Sequence, residues 1–167
     1  MSCFVLSVGL LLTDKMSSIE VRDIQEGDYD EWVRLFNLYL EFYKASLPEE
    51  TKKHTFERFI NPEIDMWSAV AIHPETGKII GIANYLKHMY TWNSKDKIYL
   101  NDLYVDEEQR LKHVGRSLIE YVFKKADERG DICDVYWCTD MTNHRAQLLY
   151  TKVGYNAGKF VYKRPQN

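Results

Sequence analysis

The sequence predicts an α/β (α+β) domain built around a mixed, mostly antiparallel sheet. Three observations carry this. Strand-like and helical runs follow one another in the order βααβββαβαβ. Two of the strands, 66–72 and 78–88, are consecutive and joined by the turn Pro74-Glu-Thr-Gly77. Near the end, one strand–helix–strand passage forms a crossover.

Ile19–Ile24 alternates apolar and polar residues, the period of a half-buried strand. Trp32, Leu35, Phe36, Tyr39 and Tyr43 then recur at three- and four-residue spacing, so Asp28–Lys44 is an amphipathic helix. Pro48 ends that region. Thr51–Ile60 is a shorter helix with Phe56, Phe59 and Ile60 on one side, closed by Pro62. After the 66–72 and 78–88 strands, Lys97–Val105 is a third, rich in β-branched and aromatic residues. Val114, Leu118, Tyr121, Val122 and Ala126 mark a helix over Val114–Arg129, stopped by Gly130. Cys133–Thr139 reads as a strand, Asn143–Val153 as a helix stopped by Gly154, and Tyr155–Tyr162 as a last strand or hairpin.

The 167 residues suit one domain, and 45% apolar residues suffice for a core without disulfide or metal staples. Residues 1–15 are read as an N-terminal extension and 16–167 as the domain. The apolar run Phe4–Leu12 falls short of the roughly 20 residues of a spanning helix, so no membrane role is expected. Lys and Arg number 22 against 25 Asp and Glu, a balance that argues against direct nucleic-acid binding over a wide face. Cys3, Cys133 and Cys138 form no CxxC pair, so no metal site is expected. On one strand, Cys133 and Cys138 would take opposite faces as small buried hydrophobes.

Two stretches carry candidate chemistry. Between the 97–105 strand and the 114–129 helix stands Arg110-Leu-Lys-His-Val-Gly-Arg116. A loop opening into a helix presents unpaired N–H groups at the positive end of the helix dipole, which suits phosphate. Gly115 removes a Cβ from the path of an anion, and Arg110, Lys112 and Arg116 add positive charge. Neither GxGxxG nor GxxxxGK[ST] is present, and an ordinary strand–helix turn with solvated basic residues fits the loop equally well. In the second stretch Asn143 stands at a helix N-cap, with Tyr150 two turns on, either facing a pocket or packing.

Taken together, the R-x-x-x-x-G loop, the N-x-x-A-x-x-L-Y helix and the Gly154-Tyr155 step resemble the GNAT superfamily of N-acetyltransferases, over residues from about 18 to the end. IYLNDLYVDE, VYWCTD, NHRAQLLYTKVGY and the terminal YKR are similar to the fungal histone and polyamine acetyltransferase group. His113 stands where the family's loop has its first glycine, so residue 113 either takes negative φ or keeps some strain.

The resemblance implies a sheet splayed at the cofactor site and flanked by four helices, with 28–44 and 51–60 covering the substrate. It implies acetyl-CoA as co-substrate and transfer of acetyl to a primary amine in a ternary complex. Amides of Arg110, Leu111, Lys112, His113, Val114, Gly115 and Arg116 would hold the pyrophosphate. The backbone of Leu103, Tyr104 and Val105 would pair with the pantetheine arm, and Asn143 would contact that arm. Tyr150 would be the general acid.

Asp102, the carboxylate within the 97–105 strand, is the candidate base, with a water chain as its rival. Regular alternation would set it opposite Tyr99 and Asn101. Asp140 is a second candidate, or simply a cap of the next helix; His144 is expected at the surface. Tyr85, His88, Tyr90 and Trp92 either rim the acceptor pocket or meet a second subunit. Glu49 and Glu50 either attract a polycation or are solvated loop charge. The implied acceptor is a polyamine, a small amine or a lysine of a basic protein tail such as a histone. Alternatives are a D-amino acid with the same chemistry, or an idle CoA-binding module. A homodimer or dimer of dimers through 155–164, and a cytoplasmic location with access to the nucleus, complete the expectations.

Overall fold

The computed structural model describes residues 19–108 and 113–165, which excludes the expected 1–15 extension, Cys3, Arg110, Leu111 and Lys112. Strand β1 (Glu20–Asp23) leads through a 3-10 turn into helix α1 (Tyr29–Phe42), followed by α2 (Glu49–Ile60). Then come β2 (Met66–Ile72), β3 (Ile79–His88), β4 (Asp96–Val105), α3 (Val114–Arg129), β5 (Ile132–Trp137) and α4 (His144–Val153). Among the described residues the sheet has the order β1-β2-β3-β4-β5. β1 to β4 are antiparallel, and β4 pairs β5 in parallel through the α3 crossover.

Both sheet faces are covered. Trp32, Leu35 and Phe36 of α1 and Phe56 and Phe59 of α2 pack on Val70, Ile79 and Ile82. Leu118, Ile119, Val122 and Ala126 of α3 pack on Ala69, Ala71, Ile80 and Ala83 of the other face. A Cβ on Gly81 would meet Leu118 Cδ1 at 3.0 Å and Tyr104 O at 3.1 Å, so the bare glycine sets how closely α3 lies on β3. At the other end of the sheet, Arg22 grips both oxygens of Asp28 at 2.6 and 3.0 Å, tying β1 to the start of α1.

The structure corrects the sequence reading in four places. No strand forms over 155–162. Gly158 takes φ +66° and its amide bonds Asn156 Oδ1 at 2.8 Å, a local turn that breaks the alternation. The two cysteines do not share β5, because the strand ends at Trp137. Cys138 is exposed, whereas Cys133 is half-buried with its thiol 3.6 Å from Lys95 O. Tyr85 is buried beside Trp67 on the α3 face, away from any acceptor rim. Finally, α2 starts two residues early, so Glu49 and Glu50 belong to its first turn and Glu49 pairs with Lys52.

Candidate active site

The site begins where the sheet stops being continuous. β4 and β5 pair from Asp96↔Ile132 to Leu100↔Trp137 and no further. From Asp102 to Val105, β4 keeps its antiparallel partner β3 and is no longer paired with β5. The register shifts at the same point: Tyr85 faces Leu100, but Asn84 faces Asp102, so Asn101 is an extra residue. Such a bulge bends a strand and raises its twist, which turns β4 away from β5. The splayed sheet implied by the resemblance is therefore present.

The bulge also corrects the expected pleat. Asp102 is not opposite Tyr99. Both side chains lie on the α1 face, and Asp102 acts electrostatically on Tyr99 and on Tyr39 of α1. Its Oδ2 accepts from Asn84 Nδ2 at 3.0 Å and its Oδ1 from Asn101 Nδ2 at 2.8 Å. The Tyr39 hydroxyl lies against the same carboxyl. Burial raises the Asp102 carboxyl above the ordinary carboxylate range, against the opposing pull of these donors.

A cleft of about 590 Å³ opens from the gap and is lined by Leu100, Asn101, Leu103, Tyr104 and Val105 of β4 but not by the candidate base Asp102, and further by His113–Arg116, by α4 and by the end of α1. Leu103, Tyr104, Val105, His113, Val114, Gly115, Arg116, Asn143 and Tyr150 all line this one cleft, as the sequence reading expected of a shared site. The residue at 113 resolves one open alternative: His113 sits at φ +79°, ψ −3°, the left-handed region, and keeps the strain. Its side chain makes no cap bond to α3, whose first-turn residues Val114, Gly115 and Arg116 line the cleft. Gly115 has a second reason to lack a side chain, since a Cβ there would meet Leu149 Cδ2 at 3.1 Å and Val105 Cγ2 at 3.7 Å. Arg116 lies along its own helix, bonded to Glu120 at 2.7 Å.

Asn143 caps α4 as expected, its Oδ1 accepting from Ala146 N at 3.2 Å. Tyr150 packs its ring edge-on against Trp137 at 5.4 Å. Burial, with Tyr43 nearby, pushes its phenol up to about 12. Packing and facing a pocket, the two readings left open for Tyr150, thus describe the same side chain. Tyr43, whose phenol burial also raises, lies beside Asn143 and Thr139 and bridges the end of α1 to the start of α4. His144 is exposed, as expected. His88 bonds the Tyr136 hydroxyl at 3.1 Å, while Lys97 stands 4.0 Å over the Tyr90 ring and binds Asp134 at 2.8 Å. None of these groups lines the cleft, and Trp92 is 83% exposed.

Sequence reasoning missed Tyr39, Tyr43 and Asn84. The two tyrosines were counted only as an apolar helix stripe, although hydroxyl-bearing residues ending such a stripe signal a polar cleft. Asn84 interrupts a buried apolar strand, which itself marks a site.

The cleft has parts that suit a CoA ester: a strand segment that has parted from β5 for an amide-rich arm, and the start of a helix for phosphate. Residues 32–155 match the Acetyltransferase (GNAT) family. The chain is 49% identical over 146 residues to the D-amino-acid N-acetyltransferase HPA3 of Saccharomyces cerevisiae, covering 87% of this chain and 90% of that protein. It is 24% identical over 152 residues to a thialysine N-epsilon-acetyltransferase of Bos taurus, covering 83% of this chain and 85% of the relative. The fold matches that of AAC(6')-Iy, solved with a CoA bisubstrate analog, at TM-score 0.76 and 18% identity over 90% of this chain and 99% of that one. With the splayed sheet and a family match running from α1 to just past α4, the chain belongs to the GNAT family of acetyltransferases.

Proposed function

We propose that this acetyltransferase moves the acetyl group of acetyl-CoA to the amino group of a free D-amino acid by direct transfer in a ternary complex. The observation that carries this reading is the placement of Asp102 and Tyr150. Tyr150 lines the cleft from α4, whereas Asp102 does not line it and is buried beneath α1 against Tyr39, which does. The 49% identity to a D-amino-acid N-acetyltransferase supports the acceptor class.

Acetyl-CoA supplies an acyl group already activated as a thioester. Main-chain groups of Leu103, Tyr104 and Val105 hold the arm, and amides at the start of α3 take the phosphates, with Asn143 beside the arm. An alkylamine is mostly ammonium at neutral pH and must lose a proton before attack. Asp102 accepts it, its affinity for a proton raised by burial. At the other end Tyr150 Oη keeps its proton at neutral pH and donates it toward the departing sulfur. A free thiol ionises near ~8.5, so full release from a phenol at about 12 is uphill. A hydrogen bond that strengthens as charge grows on sulfur suffices for the role.

A polyamine or another small polycation is a second reading, favoured by the carboxylates Asp102, Asp134 and Asp140 and the tyrosine faces along the acceptor side. The exposed Tyr155, Phe160 and Tyr162 support a homodimer through 155–164. Thiol release from acetyl-CoA across D- and L-amino acids, spermine and a histone-tail peptide tests the acceptor. Turnover with D-amino acids well above the other amines is expected; preference for spermine or the peptide overturns the acceptor assignment.

A further inference from the structure

A polar row crosses the sheet beneath α1. Ser68 of β2, Asn84 of β3 and Asp102 of β4 are cross-strand partners in register. The face around them is otherwise apolar, with Val70 and Ile82 fully buried. Asn84 is 0% exposed, and a buried amide costs stability unless its hydrogen bonds are made. An aliphatic residue would serve the core better, so packing gives no account of Asn84 at this position.

Its bonds fix which way the amide points. The Trp32 indole N–H is a donor only, and it donates to Asn84 Oδ1 at 3.2 Å. The oxygen is thereby engaged, and Nδ2 is turned toward Asp102 Oδ2 at 3.0 Å. Ser68 Oγ, next in the row, has no hydrogen-bond partner among the described residues and does not compete for the amide. Trp32 is itself held between Phe36, stacked at 4.8 Å, and Phe59, edge-on at 5.5 Å.

We infer that Trp32 and Asn84 are positioning residues that hold Asp102 in its ionised, proton-accepting form behind Tyr39 of the cleft wall. The inference rests on Asp102 being the proton acceptor. Other groups face the carboxyl or its neighbours from each packed element. They are Tyr39 and Tyr43 of α1, Tyr99 and Asn101 of β4, and, through these tyrosines, Cys138 after β5 and Asp140 in the following loop. A donor to a carboxylate favours its charged form. Removing the Asn84 donor therefore raises the pH at which Asp102 gives up its proton.

The pH dependence of kcat/KM tests this in Asn84→Leu, Trp32→Phe and Asp102→Asn, each checked for folding by circular dichroism. The acid limb is expected to move up by about one pH unit in Asn84→Leu, a tenfold loss at a fixed acid pH. In Trp32→Phe the amide is free to turn, and a smaller shift in the same direction is expected, with the alkaline plateau largely recovered. Loss of stability alone would lower the melting temperature and leave the limb in place. An unmoved limb in folded Trp32→Phe overturns the inference, even should Asn84→Leu fail to fold. Asp102→Asn separates the two levels: full turnover in that variant overturns the proton-acceptor reading itself, whereas its loss beside an unmoved limb in Trp32→Phe sinks only the positioning role.

Discussion

His113 keeps a left-handed backbone that the family's usual glycine would take without cost. For a residue with a Cβ that conformation costs roughly 1–2 kcal/mol, while glycine gives back about 0.5–1 kcal/mol through its freer unfolded chain. His113→Gly is therefore expected to stabilise the fold by up to about 1 kcal/mol, read from urea unfolding. Tyr150→Phe keeps the ring against Trp137 and removes only the hydroxyl. It should lower kcat by roughly 10²-fold with little change in melting temperature; unchanged turnover would return Tyr150 to packing alone. What was legible at this scale was residue identity: Tyr150, Asn143 and Gly115 were singled out in the sequence, and all three line the cleft. Torsions and faces were not. The angle at His113 and the face of Asp102 depend on a loop and a bulge that leave no mark in a run such as IYLNDLYV.

Among the elements, α4 depends on space at its end. Gly154 has an extended backbone that any residue adopts, yet a Cβ there would lie 2.9 Å from Trp137 Cη2. The indole is rigid, so Gly154→Ala must push Trp137 off its seat and disturb Tyr150, which packs on it. A loss of about 1–3 kcal/mol is expected, with turnover falling beyond what the remaining folded fraction explains. The β1–α1 tie behaves differently. The Arg22 guanidinium, through its hydrogen bonds, holds the Asp28 carboxyl below the ordinary carboxylate range. A depressed acid contributes stability above its unfolded value of about 3.9 and loses it as pH falls through the folded one. Asp28→Asn should thus cost about 1–2 kcal/mol near neutral pH, and the gap to the wild type should close as pH falls below the ordinary carboxylate range in an acid titration followed by circular dichroism.

For the molecule as a whole, the elements with the strongest periodicity were read to the residue: β2 at Met66–Ile72 and α3 at Val114–Arg129 stand where the pattern put them. The tail failed the same test, because alternation over Tyr155–Tyr162 says nothing about whether a neighbour is available to pair with. The site was half legible. Its loop and its helix were seen as separate stretches, whereas the gap that joins them arises from register between strands, which no single segment contains. Asp102 must be ionised to take a proton, and burial raises it. Turnover is accordingly expected to fall with acidification at a pH above the ordinary ~3.9 of a free aspartate, as a single ionisation in kcat/KM.

The surplus residue at Asn101 sets this protein's strength against its work. Omitting it would leave Leu100 facing Tyr85 and Asp102 facing Asn84 as they do now, yet β4 could run straight and zip to its parallel neighbour along its full length. Such a shortened chain is expected to melt higher and to retain no coenzyme in a calorimeter. Enzymatic capacity here would then follow from a misfit placed where β4 parts from β5.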